Sequence, residues 1–308
     1  MPLRTAAVAL VIAALPATAF AQCEDITFSD VGWTDITATT AVAETLLDPL
    51  GYDVDIKVLS VPVTYASLEN GDVDVFLGNW MPTMEGDIAP YRERGTVETV
   101  RANLEGAKYT LATNAAGAAL GIKDFADIAK FAGELDGEIY GIEPGNDGNR
   151  LILDMIEANT FDLGEFDLRE SSEQGMLAQV ARASERDEPI VFLGWEPHPM
   201  NANFDLTYLT GGDDVFGPDL GGATVYTNVR KGFMEECSNV GALLNNLVFS
   251  LALENEIMGA ILNDGEDPDE AAEAYLKANP DLLDTWLNGV TTLDGQPALP
   301  AVRAALGL

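Results

Sequence analysis

From residue 26 onward, short apolar runs alternate with stretches in which apolar residues recur every three or four positions. ITFSDVG (26–32), YDVDIKVL (52–59) and Val73 to Leu77 read as strands. Between them, ITATTAVAETLLDPLG (36–51), closed by Gly51, and VTYASLENG (63–71) read as helices. The rhythm returns with the strand GEIYGIEPG (137–145), the helices NRLILDMIEAN (149–159) and EQGMLAQVARASERDEP (173–189), and the strand Ile190 to Leu193. ATVYTN (223–228) is a last strand, and the pattern beyond it is helical. This alternation predicts an α/β fold, with parallel sheets covered by helices on both faces. Long polar linkers are absent, so short strand-like crossings are expected between any two lobes.

The first residues follow a different pattern. Arg4 precedes the apolar run Ala6 to Leu15, too short to span a bilayer, and Ala19-Phe20-Ala21 has small residues at both ends. Residues 1–21 therefore read as a secretory signal peptide, cut before Gln22, which predicts an exported, periplasmic protein. Its length suffices for two lobes with separate cores. In an oxidising compartment Cys23 and Cys237 are expected to form one disulfide. The rival reading, a lipidated Cys23, is poorly served by Gln22, which is not small. A bond from Cys23 to Cys237 would place both ends of the chain in one lobe. Residues 22–109 and 210–308 would then form a discontinuous lobe 1, and 110–209 an inserted lobe 2, with a ligand cleft between them.

Two segments stand out within this plan. VFLGNWMP (75–82) and VFLGWEPHPM (191–200) share Val-Phe-Leu-Gly, then a tryptophan, then a proline. Trp33, Trp80 and Trp195 each follow a predicted strand end with a glycine close before, where ligands of open parallel sheets lie. Those glycines are expected to turn the backbone so that the indole faces the cleft. Trp286, among Leu282, Leu283 and Leu287 at helical spacing, reads as core. Several indole faces around one cleft suit sugars, or quaternary ammonium groups held by cation–π attraction.

Charge narrows the choice. The chain carries 51 acidic and 16 basic residues, a formal charge of −35. That excludes electrostatic binding of nucleic acid or anionic lipid and suits a cation, although an acidic surface also serves solubility. The single histidine, His198, lies between prolines beside Glu196 and reads as a loop residue. No nucleophile–base motif, His/Cys metal cluster or P-loop is present, so neither enzyme, cofactor nor metal is expected. A dispersed carboxylate pair of the glycosidase kind is the remaining catalytic alternative. Asp72 and Asp74, alternating with valines, read instead as facing away from the core or binding turn amides.

FSDVGWTDI, GDVDVFLGNWMP, EPGNDGN and VFLGWEPHPM together resemble the substrate-binding proteins of ABC importers for glycine betaine and choline, over essentially the whole chain after the leader. The resemblance implies a type II bilobal periplasmic binding protein, monomeric, that delivers its ligand to a membrane permease. It also implies an aromatic box of Trp33, Trp80, Tyr109 and Trp195, with Asp35 and Asn146 toward the ligand's hydroxyl end. Tyr109 rests on the resemblance alone, since its strand context reads as core. Asp35 reads on its own as a helix N-cap, and Asn146 as a turn residue with left-handed backbone. Asp35 favours choline, whose hydroxyl can donate to a carboxylate, over glycine betaine, whose own carboxylate would be repelled. Glycine betaine is the first alternative ligand, and carbohydrate a weaker one.

Overall fold

The computed structural model describes residues 23–308. The signal peptide read in residues 1–21 lies outside the described residues. The strands are β1 (Asp25–Asp30), β2 (Asp53–Val58), β3 (Val75–Met81), β4 (Val97–Asn114), β5 (Glu138–Tyr140), β6 (Asp167–Arg169), β7 (Val191–Glu196), β8 (Leu206–Tyr208) and β9 (Gly222–Arg230). They share one hydrogen-bonded path, β2-β1-β3-β9-β4-β7-β5-β6, with β8 attached to β4.

This path contains a repeat. β1, β2 and β3 are parallel and are followed by antiparallel β9 and then β4. β5, β6 and β7 are likewise parallel and are followed by antiparallel β4 and then β8. The two halves thus have one strand order, and β3 and β7 occupy the same place in it. The recurring Val-Phe-Leu-Gly falls on these equivalent strands, and each strand ends on a cis X-Pro peptide, Met81-Pro82 and Glu196-Pro197. The 18-residue β4 serves both halves, pairing with β9 along its first part and with β7 and β8 along its second. It is the strand-like crossing expected from the absence of linkers.

Two expectations are corrected here. β3 runs through Trp80 to Met81, and β7 through Trp195 to Glu196, so these indoles project from strands and do not follow them. Nor do Gly78 and Gly194 turn the chain. Each sits where a neighbour comes too close for a side chain: a Cβ at Gly78 would lie 2.5 Å from Ile36, and one at Gly194 would lie 2.9 Å from Ala112. Only Gly32, with φ +81°, supplies the turn that delivers Trp33 from β1 into the helix Thr34–Leu47.

Cys23 and Cys237 are bonded, with Cα atoms 5.5 Å apart, tying the start of β1 to the helix Ser238–Asn246. Trp286 is core, 2% exposed and 5.9 Å from the Phe249 ring. Asp74 binds the Thr27 amide at 2.8 Å and Arg230 at 2.6 Å, a structural role that joins β1 to β9. Residues 210–216 still pack on the middle segment: the Thr210 carbonyl accepts from the Phe125 amide, and the Phe216 ring lies 5.9 Å from Phe125 and from Tyr109.

Candidate functional site

Where the two halves face each other, Trp33, Asp35, Trp80, Tyr109, Ile142 and Trp195 enclose a cavity of about 240 Å³, mouth included. The space between these side chains is small, so it suits a compact ligand of a few heavy atoms. Every ring around it is at most 5% exposed. The lobes are closed on it.

Each wall has a local cause. Trp33 is the N-cap residue of the helix Thr34–Leu47, in extended conformation, and lines the cavity from the helix end. Trp80 projects from β3, with its ring 6.0 Å from Tyr109. Tyr109 and Trp195 are register partners across β4 and β7, with their rings edge-to-face at 6.2 Å. Tyr109 fits because residue 148 is glycine: a Cβ there would lie 2.0 Å from the phenol oxygen. Asp35 lies in the first turn of its helix and is not the cap expected from its position. Its Oδ2 accepts the Trp80 indole N–H at 3.0 Å.

The polar atoms are incompletely matched. Asp35 Oδ1 is buried without a side-chain partner, although buried polar groups are as a rule hydrogen-bonded. Burial, reinforced by the Glu173 carboxylate, pushes the Asp35 carboxyl up to about 8. A cation in the cavity would oppose that shift. Asn146 stands just outside the lining. Its backbone is extended, with φ −75°, and not left-handed as expected. It caps the helix Asp147–Glu157, with Oδ1 accepting from the Asn149 amide at 2.6 Å, while its Nδ2 is buried and unpartnered.

Three site residues escaped the sequence reading. Ile142 completes the lining just after β5, and its apolar strand context carries no signal of that role. Glu173, fully buried, accepts from the Thr34 amide at 2.8 Å and the Thr34 hydroxyl at 2.6 Å. His198, expected in a loop, is 1% exposed, 3.2 Å from Glu173 and edge-on to Trp195 at 4.7 Å. Its place beside the second Val-Phe-Leu-Gly segment was the available clue.

Two α/β halves with the same strand order, closed over an aromatic cavity with one carboxylate, define a bilobal solute-binding protein. Residues 24–278 match the family model for the substrate binding domain of the ABC-type glycine betaine transport system. The chain belongs to that family, whose members are binding proteins of ABC importers and not enzymes. It is similar to a solved ABC-transporter choline binding protein in complex with choline: 72% identity, TM-score 0.92, 92% of this chain and 99% of that one. The same description in an unliganded semi-closed conformation matches at 72% identity and TM-score 0.86, over 93% and 99%. The glycine betaine/carnitine transport binding protein GbuC of Listeria monocytogenes is 33% identical over 170 residues, 55% of each chain.

Proposed function

We propose that this chain binds choline in the closed cavity and delivers it to the membrane permease of an ABC importer. The observation that carries this reading is an enclosed cavity faced by four aromatic rings and one carboxylate with a free oxygen. A trimethylammonium group has no N–H to donate, so an ion pair alone reads it poorly. Ring faces attract it at up to roughly 2 kcal/mol per desolvated ring. At the other end of the ligand, Asp35 Oδ1 would accept from the hydroxyl and Asn146 Nδ2 would donate to it. The likeness to a choline complex over nearly the whole chain supports the same assignment. Glycine betaine fits less well, because no Lys, Arg or His side chain lines the cavity to meet a carboxylate.

In this reading the lobes divide within β4 near residue 109 and at the return crossing, with 110–209 and the 210–216 segment that packs on it forming lobe 2. The protein works in the periplasm after removal of residues 1–21, in keeping with the export of its family. Tryptophan-fluorescence titration with choline, glycine betaine, carnitine and a maltodextrin tests the assignment. A saturable response to choline at the lowest concentration is expected. A response to the maltodextrin, or none to choline, would overturn it.

A further inference from the structure

We infer that Glu173 is a positioning residue that couples lobe closure to the shape of the aromatic box, acting as a latch between the end of one lobe's helix and the wall of the other. The inference rests on the cation-binding reading above. Glu173 begins the helix Glu173–Glu185 in the middle segment of the chain, yet its carboxylate holds the other lobe. Oε2 accepts the Thr34 amide, and Oε1 accepts the Thr34 hydroxyl. Thr34 sits between Trp33 and Asp35, so this contact fixes the short stretch that carries one ring and the carboxylate.

On its other side Glu173 meets His198. The Met200 amide donates to His198 Nδ1 at 2.9 Å, which assigns the ring proton to Nε2, and Nε2 lies 3.2 Å from Glu173 Oε1. The imidazole in turn stands edge-on to Trp195. One buried carboxylate therefore touches supports of both walls of the box, joining residues 139 positions apart. With the lobes apart, water would take the place of the Thr34 donors. With the lobes closed, Glu173 has no exposure, and its charge lies near enough to Asp35 to disfavour ionisation there. Two acidic groups beside an empty box oppose closure, and a bound cation compensates them. The latch closes best on a positively charged ligand.

Glu173→Gln keeps the shape but cannot keep the contacts. If the amide nitrogen replaces Oε2, it faces the Thr34 N–H. If it replaces Oε1, it faces the His198 Nε2–H, and that proton cannot move because Nδ1 is already an acceptor. One donor is orphaned either way. Stopped-flow choline binding to the full-length mature protein should show a dissociation rate raised about tenfold or more, with the association rate within about twofold of wild type. The melting temperature of the ligand-free protein should fall far less than the affinity does. Thr34→Val, which removes the hydroxyl alone, should raise dissociation less, and the double variant should add little beyond Glu173→Gln. Thr34→Val also carries the test should Glu173→Gln not fold. A wild-type dissociation rate in the variants, or a ligand-free melting temperature that falls in step with affinity, overturns the latch. Wild-type protein silent to choline overturns the cation reading and the latch with it.

Discussion

Replacing Asp35 by asparagine isolates the charge of one oxygen at the site. Asparagine can still accept the Trp80 indole N–H, so the walls should stay in place. What disappears is attraction to the ligand's cation, roughly 4 kcal/mol for unit charges about 4 Å apart at an effective dielectric near 20. Part of that is offset in the wild type, because the carboxyl is pushed up to about 8 in the empty closed box. Ionising it at pH 7 takes back a minor part of that attraction, so the variant should bind choline on the order of tens-fold more weakly. The sign of the pH dependence follows. The raised pKa means that the empty closed form holds a proton which the open or unfolded chain releases above 3.8, so that form loses stability as pH rises from about 3.8 to about 8. The cation favours the ionised carboxylate, so choline binding to that closed form should strengthen as pH rises towards about 8, and the penalty in the variant should grow with it. At pH 6 ionisation takes back more of the attraction, and the loss should shrink to about tenfold. For glycine betaine the ligand carboxylate turns the ionised Asp35 into a repulsive neighbour, so the variant should lose little or gain. Parallel isothermal titrations of both ligands at pH 6 and pH 8.5 would test this. A choline-to-betaine ratio unchanged by the substitution, or a choline penalty independent of pH, would refute the reasoning.

Trp195→Ala should weaken choline binding at least a hundredfold by calorimetry, from loss of a desolvated ring and of the wall paired with Tyr109. Trp286→Ala, in the core and away from the cavity, should instead cost about 3–5 kcal/mol of stability in denaturant melts and leave choline affinity within about threefold. Gly148→Ala should push the Tyr109 ring into the cavity, because the added Cβ would lie 2.0 Å from the phenol oxygen, and binding should fall more than stability in paired titration and melting experiments. The Cys23–Cys237 bond closes a loop of 214 positions, for which chain entropy predicts about 5 kcal/mol. Replacing both cysteines by serine should lower the melting temperature, with little change in choline affinity for the protein that remains folded.

The alternation of strands and helices, the pairing of the two cysteines and the placement of Trp286 in core were legible from the chain alone. Each depends on local periodicity or on a short inventory with few alternatives. The repeat of Val-Phe-Leu-Gly was also visible, but not its meaning, because only strand order shows that β3 and β7 are equivalent. The glycines illustrate the limit most plainly. Gly78 and Gly194 looked like turns, and their true reason is a neighbour from a distant segment occupying the space of a side chain. Asp35 likewise looked like a cap, whereas Trp80, 45 positions away, gives it an indole N–H to hold. Glu173 carried no local mark of its place and His198 only its nearness to the second Val-Phe-Leu-Gly, since Glu173 bonds His198 across a distance in sequence and reaches Thr34 only when the lobes meet. Periodicity records which face of an element is buried. Which partner it is buried against is decided by tertiary contact, and the site is made of such partners.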